Sequence, residues 1–282
     1  MQLRGAMRWA VLVAGLAVAA GCSVARPWPA APPPQPHHTL LVIGDSLAGQ
    51  ADVTLPDVLT RAGLPTRVID AHINGSGLIG PVGDAPSALE WVQRQLAANP
   101  FVDTVLIEWA GACAVCGRPG EPVYGSPEFF AQWRANAHEI IDWLHTQDVA
   151  VVWVESPPVG VDSSTAASGS QIAVATVQAL SQMDEQELAS AASHGVVDWF
   201  AAETDTLSRY QTSLFYDGAM HQIRTDDLVH FTLDGSTRAS TWTAKGLGDL
   251  WATLPRRDVS IQSAPGLVEA GDPVTLDVGP GL

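Results

Sequence analysis

The sequence predicts an α/β domain, with helices covering both faces of a five-stranded parallel sheet. Three observations carry this reading. Short apolar runs of almost unbroken character recur along residues 39–254, as suits strands buried on both faces. Stretches with apolar residues at helical spacing separate them, as crossovers between parallel strands require. Hydrophobic residues make up 46% of the 282 positions and charged residues 16%, a balance that fits a folded core and argues against disorder.

The elements follow in order. Thr39–Ile43 reads as the first strand. Asp52–Ala62 reads as a helix kinked or delimited by Pro56. Thr66–Ala71 is the second strand. Ala85–Ala98 is helical, with Ala88, Leu89, Val92 and Leu96 at helical spacing. Thr104–Trp109 is the third strand. Ser126 is a suitable N-cap for a long helix reaching His145, whose stripe is Phe129, Phe130, Trp133, Ala137, Ile140, Ile141 and Leu144. Ala150–Val154 is the fourth strand, Gln171–Ala192 a helix, Val196–Phe200 the fifth strand and Ser236–Leu254 the closing helix. Right-handed crossovers give a three-layer α/β/α sandwich of flavodoxin-like type, with ligands at the carboxyl ends of the strands. Residues 255–282 hold prolines and glycines without strong periodicity and read as a tail.

The first 21 residues read as an export signal. Arg4 and Arg8 precede an apolar stretch, Trp9 to Ala20, which is short for a bilayer-spanning helix. It ends in Ala19-Ala20-Gly21-Cys22, which resembles the lipobox of bacterial lipoproteins. That resemblance implies a lipid-modified Cys22 as the mature N-terminus, hence a membrane anchor in the extracytoplasmic cell envelope. The alternative is cleavage after Ala17-Val18-Ala19, releasing a soluble protein. Residues 22–38 contain six prolines and read as an extended tether with no core of its own.

Asp and Glu number 30 against 14 Lys and Arg, a formal charge of -16. Such a surface repels phosphate backbones and excludes nucleic acid as a partner of first choice. Cys113 and Cys116 remain after Cys22. An even remainder in an oxidising compartment favours a disulfide bracing a loop. The alternatives are a redox Cys-x-x-Cys or half of a metal site, and no further ligands stand nearby in sequence.

Two distant segments carry the chemistry. Gly44-Asp45-Ser46 follows the first apolar strand, which puts Ser46 just past its carboxyl end. Asp227-Leu228-Val229-His230 sits late in the domain. A serine at a strand-to-helix turn, a histidine and a carboxylate to orient it are the three groups of a serine hydrolase. Each half alone has an ordinary explanation: Ser46 as a helix cap, the Asp227 segment as an acidic loop. His72, His145, His194 and His221 are competing histidines, with His145 and His194 near helix ends.

Over residues 39–254 the sequence resembles the SGNH (GDSL-type) hydrolase family, through Gly44-Asp45-Ser46 and Asp227-x-x-His230. The resemblance implies Ser46 as nucleophile, His230 as base and Asp227 as its orienting acid. It implies an oxyanion hole from the amides of Ser46 and Gly75, with Gly77 as the neighbouring alternative. The pocket is expected around Asp45, Trp109, Gly111 and Ala112. The family's oxyanion-hole asparagine is replaced: Ala112 stands at its place, just before Cys113. The activity implied is hydrolysis of carboxylic esters, on cell-envelope glycans or lipids given the tether, with no metal or organic cofactor. Acyl transfer to a sugar hydroxyl and a non-catalytic binding protein are the alternatives.

Overall fold

The computed structural model describes residues 38–164, 171–193 and 196–254. The export signal, Cys22, most of the tether, His194 and the tail lie outside the described residues. Strands β1 (His38–Gly44), β2 (Thr66–Asp70), β3 (Thr104–Glu108) and β4 (Ala150–Val154) pair in parallel. β5, the two-residue Val196–Val197, extends the sheet from β4. The order is β2-β1-β3-β4-β5. Chain building reverses direction at β1, so the crevice between the carboxyl ends of β1 and β3 is a topological switch point.

Alternate strand residues divide between two cores. Leu41, Ile43, Val105, Ile107, Val151 and Trp153 pack with Val92 of α3 (Ala88–Ala98) and with Phe129, Trp133, Ile140, Ile141 and Leu144 of α4 (Pro127–Thr146). Leu40, Val42, Leu106, Val152 and Val154 pack instead with three other helices: α1 (Ser46–Asp52), α2 (Leu55–Arg61) and the last long one, Leu233–Thr253. α4 begins as its sequence dictates: Ser126 Oγ accepts from Phe129 N at 3.3 Å and Pro127 occupies the first turn.

Several expected elements are redrawn. The helix expected over 52–62 is the shorter α2, Leu55–Arg61, preceded by a separate α1 that ends at Asp52; Pro56 sits in the first turn of α2, where a missing N–H costs nothing. The expected strand Val196–Phe200 stops at Val197, so four full strands and a short fifth replace five. Asp198 ends it by capping a helical turn, α6 (Trp199–Ala202), its Oδ1 accepting from Ala201 N at 2.6 Å. The helix expected over 171–192 starts later, as α5 (Val174–Met183), and widens into a π-turn at Asp184–Leu188. A hairpin escaped the sequence reading: β6 (Ser213–Tyr216) and β7 (Ala219–Gln222), turned by Asp217-Gly218 with positive φ at both. The closing helix, α7 (Leu233–Thr253), begins ahead of Ser236 because Thr232 caps it. Among the described residues no helix is long and apolar enough to cross a membrane.

Candidate active site

The site starts at a close contact between β1 and β3. A Cβ on Gly44 would lie 1.9 Å from the Glu108 carbonyl oxygen, so only glycine lets the two strand ends meet. Asp45 N then donates to Glu108 O at 3.3 Å. Asp45 is buried and caps α1: Oδ1 accepts from Leu47 N at 2.9 Å and Oδ2 from Ala110 N at 3.1 Å. Asp45 therefore braces the turn from within and does not line an open pocket. Ser46 is the first residue of α1.

Glu108 is fully buried behind this turn, its Oε2 accepting from Ala48 N at 3.0 Å. Burial, then the neighbouring Asp45 charge, push the Glu108 carboxyl well above its ordinary range. Burial raises the Asp45 carboxyl as well, and Glu108 is the one pushed well above its range. Nothing local marks Glu108 in the sequence, since a glutamate closing an apolar strand looks like an exposed strand end.

From the far end of the chain, His230 Nε2 comes within 2.8 Å of Ser46 Oγ. His230 Nδ1 lies 2.5 Å from Asp227 Oδ2. A carboxylate at Nδ1 fixes the proton there and leaves the Nε2 lone pair facing the serine hydroxyl. Asp227 Oδ1 accepts from Thr225 Oγ1 at 2.7 Å, His230 N at 2.9 Å and Val229 N at 3.0 Å. Partial burial raises the Asp227 carboxyl, but the hydrogen bonds from Thr225, His230 and Val229 outweigh it and hold the group well below the usual carboxylate range. Leu228 takes a left-handed backbone, φ 62, a strained choice for a leucine that lets the loop fold back on itself.

Buried Arg224 supports this loop. It donates to Val229 O and, at 2.8 Å, to Pro158 O, and its guanidinium lies 4.4 Å from the Phe231 ring centroid. Its counter-charge is the equally buried Glu203, 3.9 Å away. No motif marked either residue in the sequence.

The remaining candidates divide. Gly75 sits in a left-handed turn after β2, φ 70. Gly77 is needed for packing, since a Cβ there would lie 1.8 Å from Ala112 O. Gly111 and Ala112 follow β3 beside the Cys113–Cys116 disulfide, S–S 2.04 Å. Trp109 does not shape an open pocket: it is 1% exposed, in the core, and its indole donates to Ser76 Oγ at 3.1 Å. His72 is held by Asp70 at 2.6 Å and His221 by Asp234 at 2.9 Å; His145 lies near Ser193 at the end of α4. Among the described residues no cluster of three or more His, Cys, Asp or Glu is arranged for a metal ion.

Residues 39–244 match the profile of DUF459, described as a protein of unknown function. The chain belongs to the DUF459 family. DUF459 is an SGNH-hydrolase-like family, so the resemblance carried by the two motifs holds. Solved structures share the fold. An α/β hydrolase enzyme, LAE5, from the metagenome of Lake Arreo in Spain superposes with TM-score 0.53 at 13% identity, over 76% of this chain and 96% of its own. A candidate acylhydrolase from Bacteroides fragilis superposes with TM-score 0.50 at 13% identity, over 75% and 86%. No relative is found among curated proteins.

Proposed function

We propose that this DUF459 protein is a serine ester hydrolase working through an acyl-enzyme. The observation that carries the reading is the hydrogen-bonded line from Ser46 Oγ through His230 to Asp227, at 2.8 and 2.5 Å. Ser46 Oγ attacks the ester carbonyl carbon while His230 Nε2 takes its proton. The family resemblance assigns the oxyanion to the amides of Ser46 and Gly75; those of Leu47 and Ala48 are committed to Asp45 and Glu108. The intermediate collapses, the bond to the alcohol oxygen breaks, and His230 returns the proton to the leaving alcohol. Water then attacks the acyl carbon, gives its proton to His230, and releases the acid with Ser46 restored.

Ala112, standing where the family has its asparagine, supplies no side-chain donor to the oxyanion hole. In acyl-transfer enzymes such a loss costs roughly 3–4 kcal/mol of transition-state stabilisation. This observation favours the rival reading, a binding protein on the same scaffold. A fluorophosphonate probe separates the two. The expected result is an adduct at Ser46, with hydrolysis of short-chain aryl esters by the wild type and not by Ser46→Ala. No adduct and equal rates overturn the reading. An acylated glycan formed when sugars are added would redirect the same acyl-enzyme to transfer.

The cell-envelope setting belongs to this proposal too. Export and anchoring at Cys22 would place the site near ester-bearing glycans or lipids. Cys22→Ser is expected to abolish metabolic lipid labelling; persistent labelling contradicts the anchor.

A further inference from the structure

α1 carries Ser46 at its first residue and Gln50 one turn further along the same face. The Gln50 side chain reaches across to Phe231, the residue after His230. Gln50 Oε1 accepts from Phe231 N at 2.9 Å, and Gln50 Nε2 donates to Phe231 O at 3.2 Å. A carboxamide exchanging both bonds with one residue's main chain fixes orientation as well as distance. The far side of this clamp is rigid. The Phe231 ring is buried, 5.7 Å from the Trp199 ring and 4.4 Å from the Arg224 guanidinium. The near side is the first helical turn, which Asp45 and Glu108 hold by its amides. Two segments 181 residues apart are therefore joined one helical turn from Ser46 and one residue from His230.

We propose that Gln50 is a positioning residue that sets the Ser46–His230 distance, an inference that rests on the ester-hydrolase reading above. Gln50 touches neither substrate nor reacting atoms. It acts by keeping Nε2 within reach of Oγ, and small displacements there are costly because proton transfer and attack occur together.

The test uses the full chain with two substitutions. Gln50→Met keeps the length of the side chain and loses both bonds. Gln50→Glu keeps the acceptor for Phe231 N–H and loses the donor. Three quantities are read: the fluorophosphonate labelling rate at Ser46, kcat and KM for an aryl ester, and the ¹⁵N shifts of the His230 imidazole. In Gln50→Met, labelling and kcat are expected to fall roughly 10–100-fold while KM changes less than about twofold. Gln50→Glu should fall between Gln50→Met and wild type. The His230 Nε2 resonance should move toward its position in Ser46→Ala, whose hydroxyl is absent. A merely structural role would lower thermal stability without moving that resonance. Wild-type labelling rates and unchanged His230 shifts in both variants overturn the proposal. An unlabelled wild-type chain would instead sink the ester-hydrolase reading, and the ¹⁵N comparison, which needs no turnover, would still decide the role of Gln50.

Discussion

Burial against a second carboxyl pushes a carboxyl group toward its protonated form, and Glu108 sits so directly behind the Ser46 turn. A neutral amide should replace it well. Glu108→Gln can still accept from Ala48 N and donate to Asp45, so its stability at neutral pH should stay within about 1 kcal/mol of wild type. Glu108→Ala strands the Ala48 amide over a cavity and should lose roughly 2–4 kcal/mol. Denaturant melts of the two variants check this pair. Asp227→Asn addresses the other side of the site. It should leave the fold intact and lower kcat by roughly 10⁴-fold, because the amide no longer fixes the imidazole tautomer. A loss under tenfold would remove Asp227 from the mechanism. Ser46, Asp227 and His230 were legible because each lies in a short motif whose chemistry is tied to its spacing. Glu108, Gln50 and Arg224 were not. Their roles arise from partners 60 to 181 residues away or, for Arg224, from burial with Glu203 and Pro158, and nothing local distinguishes them.

At the level of elements, the π-turn after α5 has a clear task. It carries Asp184, which is buried and accepts from Trp153 Nε1 at 3.1 Å and from Ser156 N at 3.0 Å. The end of β4 is thereby fastened to a helix. Asp184→Ala orphans both donors and should destabilise by roughly 2–4 kcal/mol, seen as a lower urea midpoint with an unchanged slope. Apolar periodicity does not reveal the π-turn, because the buried positions Leu180, Asp184 and Leu188 keep an ordinary spacing of four through it. The boundary at Asp198 was readable in principle, as a capping residue ahead of Trp199. It lost to the apolar run Val196-Val197, which looks like a longer strand. The hairpin carried the plainest missed signal, Asp217-Gly218 between two short β-prone segments. α4 matched its reading because cap, proline and stripe all agree.

Across the whole molecule, buried acids set the response to pH. Burial first of all pushes Asp52 up to about 6, Asp184 and Glu203 to about 7, and Glu155 to about 8. Unfolded carboxyls titrate near 4, so between those values the folded state binds more protons. Their contribution is complete below the unfolded values and is lost as pH rises through about 6 to 8. Asp227, depressed in the fold, acts oppositely: its contribution is present above about pH 4 and is lost as pH falls. The thermal midpoint should therefore peak near about pH 4, decline to about pH 8 and level off above it at constant ionic strength; a flat profile between about pH 4 and 8 contradicts the assignment. The parallel α/β order was legible because doubly buried strands are continuous apolar runs, while the 203–232 region, built from turns, one short hairpin and one buried ion pair, offers no long periodicity to read. That late region also bears on synthesis. Ser46 and His230 are separated by 184 residues, and ribosomes add about 5–20 residues per second. The serine thus leaves the ribosome roughly 10–40 seconds ahead of its histidine. Under the ester-hydrolase proposal the nascent chain would hold, through that interval, a nucleophile with no base, and reactivity would wait for the segment that carries His230.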